Sequence, residues 1–258
     1  MFEVILVCCI FLFIRFILPH IDDPQTYKKQ EGDLELEKNT ETNKVTSVEV
    51  VTQANGQPVV SLEDQLTRLA SDGISLSDGV SIDALVYNNG RDTYEYEAYD
   101  FIFHALSDDL TDNPDDGTFS NNVWRIEHEC IYADGDYCRV VQRLALLAGQ
   151  TDYISDLIDR VDTQYDKSWV EYKHKGISRR YKAFTNGAYI DLEAFQTIAS
   201  DFETSSHRFY FKGTAHTGFI LYLSTSAAAS LNRYISSPLM PLKEMVSFLT
   251  ISNDAEKY

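Results

Sequence analysis

The chain opens on an apolar run from Val4 to Leu18, interrupted only by Arg15, and this run decides which part of the sequence is left to form a globular core. From Val4 to Ile14 every helical face is apolar, so a helix here has no polar stripe to turn toward water. A secretory signal needs a basic start and small residues at a cleavage point, whereas Glu3 precedes this run and "LPHIDDPQ" follows it. The 15 residues rise about 22 Å against a hydrocarbon layer of about 30 Å. Snorkelling of Arg15 and local thinning of the bilayer reduce that mismatch. The expectation is a single-pass transmembrane anchor over residues 1–19, meeting the membrane through residues 2–18. Arg15, Lys28 and Lys29 all lie on its C-terminal side, which places the following domain in the cytoplasm.

Beyond the anchor, "IDDPQTYKKQEGDLELEKNTETN" holds one aromatic residue and many charges, too little apolar surface to offset the entropy of ordering its backbone. It reads as the start of a polar tether over residues 20–58, with a turn signal at Asn55-Gly56 where β-branched residues approach the domain. At 44% hydrophobic and 12% aromatic, the chain has enough apolar material for one sizeable core over residues 59–258, or for two subdomains with a break near 150–165.

Within that region, Ser61 to Asp64 has the form of a capping box, with Leu62, Leu66 and Leu69 on one helical face and Gly73 past the end. "DTYEYEAYDFIFHAL" reads as a second helix, and "GDYCRVVQRLALLAG" as a third that ends at Gly149. "NVWRIEHECI" alternates as a half-buried strand does. "SWVEYKHKGISRRYKAF" predicts a hairpin around Lys175-Gly176, and "YIDLEAFQTIASDF" an amphipathic helix. "HRFYFKG", "GFILYLS" and "TSAAASLNRYI" predict strand, strand and helix, the second strand being apolar enough for the interior of a sheet. Helices and strands alternate without βαβ spacing, which implies α+β with a mixed set of helices and a largely antiparallel sheet.

The stretches "NVWRIEHECI", "GDYCRVVQRLALLAG" and "FKGTAHTGFILYLSTSAAASLNRY" resemble a cadence found in uncharacterised bacterial proteins, over about half the chain. The resemblance brings no named family and implies no function.

The formal net charge is −18, from 40 Asp and Glu against 22 Lys and Arg. That argues against general nucleic-acid binding, which relies on Lys and Arg to displace phosphate counterions, and no nucleic-acid partner is expected. The charge is unevenly spread: between Asp92 and Asp116 there are nine carboxylates and no Lys or Arg, whereas Lys167 to Lys182 holds six Lys or Arg and one Glu. On the basic hairpin, Trp169, Tyr172 and Tyr181 interleave with Lys173, Arg179 and Arg180, a pattern suited to stacking single-stranded nucleic acid or, more ordinarily, to a solvated hairpin with its aromatic residues inward. The acidic stretch offers Asp108, Asp109, Asp112, Asp115 and Asp116 as binding residues for a basic protein partner, attracted by electrostatic steering.

Chemical signatures are sparse. The most reactive-looking cluster is His128, Glu129 and Cys130 with Asp134, Asp136 and Cys138; His128 and Cys130, two apart on a strand, share a face and form a candidate base and nucleophile. The neighbouring carboxylates disfavour a thiolate there, and neither an orienting third group nor an oxyanion hole is identifiable. A core cysteine followed by the acidic start of a helix is the structural alternative. His128, Cys130 and Cys138 lack the paired spacing of a zinc site, and Pro114 with Val123 breaks the calcium-loop frame of "DDLTDNPDDG". Phosphate-loop, dinucleotide and serine-hydrolase fingerprints are absent, and no cofactor or metal is expected. These observations favour a membrane-tethered, non-enzymatic binding domain, of which an immunity or inhibitor protein against a toxin is one form. The alternatives are a small-molecule enzyme using the Cys/His pair and a scaffold subunit of a membrane complex.

Overall fold

The computed structural model describes residues 59–111, 117–164, 167–184, 187–214 and 217–245, without the side chain at 88. The expected anchor and tether, the Asn55-Gly56 turn, and Asp112, Asp115 and Asp116 lie outside the described residues. No helix among the described residues is long and apolar enough to cross a membrane.

Helix α1 (Leu62–Ser71) begins where expected: the Ser61 hydroxyl accepts the Asp64 backbone N–H at 3.2 Å, and Leu62, Gln65 and Leu69 are buried. Helix α2 (Ile82–Asn89) is capped in the same way by Ser81, whose oxygen accepts from Ala84 N at 3.2 Å, and it ends at Gly90 with φ +71°. The single helix expected over "DTYEYEAYDFIFHAL" is instead two, α3 (Arg91–Tyr96) and α4 (Phe101–Ser107). Tyr99, at φ +66°, turns the chain between them. Buried Gln65 makes the break tolerable, because its Nε2 donates to Tyr94 O and Val60 O while its Oε1 accepts from Tyr99 N, each at 2.9 Å. Backbone groups freed by the break are thus paired inside the core, where leaving one unpaired costs about 1–3 kcal/mol. Lys212 adds a second tie across the break, with its ammonium 2.9 Å from Asp100.

Strand β1 (Val123–Glu127) leads through an irregular turn to α5 (Asp136–Leu147) and a short 3-10 turn. Strand β2 (Ile154–Arg160) then pairs with the predicted hairpin, β3 (Ser168–His174) and β4 (Ile177–Ala183). Lys175 at φ +52° and Gly176 at φ +77° form its turn, the pair of left-handed conformations that suits strand twist. Helix α6 (Leu192–Ser200), β5 (His207–Gly213), β6 (Thr217–Ser224), α7 (Thr225–Leu231) and β7 (Met240–Pro241) complete the order. Every strand pair is antiparallel, in a four-stranded sheet ordered β1-β6-β5-β7 and a three-stranded sheet ordered β2-β3-β4. The α+β expectation is met in this region, and β6 lies inside its sheet.

The four-stranded sheet is covered on both faces. Val123, Tyr210, Phe219, Leu221 and Leu223 turn toward a cluster supplied by α1 to α4 and α7. Ile126, Phe209, Phe211 and Ile220, the alternate residues, join a second cluster with α5, α6 and the inward residues Val170, Tyr172 and Ala183 of the three-stranded sheet. Gly213 and Gly218 face each other across β5 and β6 beneath the Phe211 ring. A Cβ on Gly218 would stand 2.2 Å from that ring and 2.8 Å from Lys212 O. The ring is fully buried and has nowhere to swing. Gly218→Ala should therefore destabilise the domain by about 1–3 kcal/mol, read as a lowered urea midpoint with unchanged slope; an unaltered midpoint would mean that the close approach is absent.

Candidate functional site

The structure separates the cluster of His128, Cys130, Cys138, Asp134 and Asp136 into different jobs. β1 ends at Glu127 and the chain bends at His128, so the strand alternation that would give His128 and Cys130 a common face stops before either residue. The two instead enter a stitched pair of loops: Ile190 N donates to His128 O at 2.8 Å, and Cys130 N and Ile131 N donate to Ala188 O at 3.0 and 2.9 Å. Asp136 accepts from Tyr132 N and Ala133 N through one oxygen and meets Arg139 at 2.6 Å through the other. Asp134 accepts from Val161 N at 2.7 Å. Asp159, reaching across from β2, accepts from Gly135 N at 2.6 Å and Cys138 N at 2.9 Å, and so caps α5 from outside the helix. Asp159 thus satisfies backbone donors that the start of α5 leaves unpaired, while Asp134 and Asp136 hold backbone N–H groups of the loops beside it.

The thiols follow from that setting. Burial, reinforced by Asp136 and Glu127, pushes the Cys130 thiol up to about 11. Burial and Asp159 push Cys138 up to about 12. Both are free thiols held in the protonated form at neutral pH, the opposite of the electropositive setting that activates a nucleophile. Among the described residues, no group of three or more His, Cys, Asp or Glu is placed to hold a metal ion.

The acidic binding residues open a second region. Asp108 and Asp109 sit at the base of a loop closed by backbone bonds from Leu110 N to Gly117 O, at 2.8 Å, and from Phe119 N to Asp108 O, at 3.0 Å. Burial raises the Asp108 carboxyl against the pull of Arg125, whose guanidinium is 4.0 Å away. The same burial, with Arg125, lowers the His104 imidazole one turn earlier. A polar cleft of about 420 Å³ adjoins the loop, lined by Ser75, Ser77, Asp78, Thr118 and Asn122 among others.

The sequence singled out five aspartates of this loop within an acidic stretch from Asp92 to Asp116, and the carboxylates extend back over α1 and α2. From Leu62 to Leu110 there are eleven Asp or Glu and two cations, Arg68 and Arg91. Arg91 is committed to Glu63, with both carboxylate oxygens 2.7 Å away, and Arg68 lies over the Tyr234 ring at 4.4 Å. Tyr87 on α2 and Tyr96 on α3 project beside Asp83, Asp92 and Glu97, 88% and 77% exposed, while Tyr94 and Tyr99 from the same segments are buried. The signal was present in the sequence as closely spaced tyrosines and acids; which tyrosines face outward depends on the break at Tyr99.

The basic hairpin divides its aromatic residues. Tyr172 and Tyr181 point inward, each donating to Asp201 at 2.7 Å, and Arg179 stands 3.2 Å from the same carboxylate. Only Trp169 faces outward, beneath the Arg180 guanidinium at 4.7 Å. Lys173 and Arg180 are themselves paired with Asp156 and Glu171, which compensates part of the hairpin's positive charge. Compared with known proteins, the chain matches no family model, no curated protein and no solved structure. Function is therefore argued from the residues themselves.

Alkylation at pH 8, mapped by mass spectrometry, should modify Cys130 and Cys138 on the order of a hundredfold more slowly in the folded chain than in urea, because an ordinary thiol titrates near ~8.5. Equal rates would show an accessible, reactive thiolate and reopen the Cys/His reading.

Proposed function

We propose that this chain is a membrane-tethered, non-enzymatic binding protein whose acidic helical face engages a basic protein partner. Residues 2–18 act as the anchor and the domain stands on the cytoplasmic side. Inhibition of a basic toxin by an immunity protein is one concrete form of this activity. The observation that carries the reading is the pair of exposed tyrosines, Tyr87 and Tyr96, standing among Asp83, Asp92 and Glu97.

Carboxylates alone steer a basic partner into encounter and add little affinity when exposed. Exposed aromatic rings supply what charge lacks: apolar area at low entropic cost, and a face on which a guanidinium or ammonium rests. Asp108 and Asp109 extend the field along the neighbouring loop. The raised Cys130 and Cys138 thiols favour this reading over a Cys/His enzyme, since a cysteine nucleophile needs its thiolate.

Binding of a lysine- and arginine-rich peptide to the full chain should weaken at least tenfold between about 0.1 and about 1 M salt, as the screening length shortens from about 10 to about 3 Å. Tyr96→Ala should weaken it by a further factor of about ten, and Asp108→Asn with Asp109→Asn by less. Binding indifferent to salt would sink the electrostatic reading.

A further inference from the structure

The end of β1 opens into a small cavity of about 240 Å³ lined by Glu127, His128, Glu129, Tyr189 and Thr217. Sites that take whole small molecules measure roughly 300–1,000 Å³, so this one has room for a single side chain or a small amine. Its walls are tied from several elements. The loop bonds at His128 and Ala188 hold two sides, Glu129 bridges to Tyr189, and the Thr217 hydroxyl donates to Ile126 O at 3.3 Å. The cavity is thus a product of the fold, assembled from segments about 60 to 90 residues apart in sequence.

Two features of the lining select its occupant. The charge is of one sign: Glu127 is shared with Arg125 at 3.5 Å, while Glu129 is exposed and joins no ion pair among the described residues. The second feature is aromatic. Tyr189 lines the cavity, is half exposed and is paired across a β-bridge with Glu129. A hard metal ion needs several converging oxygen ligands, and the described residues offer no such group. A carboxylate next to ring faces suits instead a weakly hydrated organic cation, which gains from both the charge and the π-face.

We infer that this cavity binds an organic cation, a guanidinium or alkylammonium group, seated against Tyr189 and neutralised by Glu129. The site is separate from the acidic face on α2 and α3, and its failure would leave that reading standing. The shared chemistry has two sources, a free amine or a basic side chain presented by a protein, and the two are told apart by comparing agmatine with a capped Ala-Arg-Ala peptide.

The full chain is titrated with each probe by calorimetry, beside Glu129→Gln, Tyr189→Leu and, as a control at an exposed carboxylate outside both sites, Asp152→Asn. The expected result is saturable binding of agmatine, the peptide or both at millimolar concentration or below, weakened at least tenfold by Glu129→Gln and by Tyr189→Leu and unchanged by Asp152→Asn. Circular dichroism verifies that the variants fold, and Glu129→Gln preserves side-chain shape at an exposed position. The tighter of the two probes identifies the source. Absence of binding of both probes to the wild-type chain, or equal binding by Glu129→Gln and wild type, overturns the inference.

Discussion

The β5 and β6 ladder is the constraint to which the rest of the domain is fitted, because both of its faces are buried. Antiparallel sheets commonly leave one face to water. Here Phe209 and Phe211 point into one apolar cluster while Tyr210, Phe219, Leu221 and Leu223 point into the other. A one-residue slip would exchange the two sets and bring Lys212 into the wrong cluster. The register is pinned at its turn end by Gly213 opposite Gly218, where no side chain fits under Phe211. Ladder and glycines together give the helices on each side a fixed template.

Polar groups then hold the places where regular structure fails. Gln65 supplies the break between α3 and α4 with two hydrogen bonds and ties it to Val60 with a third. Asp159 caps α5 from a neighbouring strand. Asp201 binds α6 to the three-stranded sheet through Tyr172 and Tyr181, two charge-assisted bonds each worth about 1.5–3 kcal/mol. Arg179, close to the same carboxylate but without a hydrogen bond from its Nε, contributes charge rather than a directed bond. Burial and the bond to Asp201 raise both phenols, keeping them as donors at any ordinary pH.

Elements whose signals are local were legible in the sequence: Ser61 and Gly73 around α1, Gly149 after α5, and Lys175-Gly176 between β3 and β4. Those that depend on distant partners were not. The Tyr99 turn is stabilised by Gln65, 34 residues away, and nothing within "DTYEYEAYDFIFHAL" announces it. β2 escaped because Asp156, at φ +53°, shifts its register between Ser155 and Ile158 and so spoils the period-2 pattern. α2 could have been found from Ser81 and Gly90. At the cavity, His128 and Glu129 attracted notice as reactive-looking residues, yet Tyr189 and Thr217 join them only through tertiary backbone bonds. Asp134 and Asp136 looked like site residues, and their carboxylates are occupied with backbone N–H groups.

The proposed binding role rests on charge and exposed aromatic rings taken together. The helical half carries its carboxylates with few cations to answer them, and two tyrosines stand out from it; on the three-stranded sheet Lys173 and Arg180 are matched by Asp156 and Glu171. The same acidic excess that keeps such a chain soluble becomes specific only where a rigid aromatic group is placed within it. Chemical-shift mapping of the chain with a lysine- and arginine-rich peptide tests this most directly. The account predicts perturbations concentrated on Ile82–Asn89 and Arg91–Tyr96 and extending to Asp108 and Asp109. Shifts confined to the three-stranded sheet, or spread evenly over every exposed carboxylate, would contradict it.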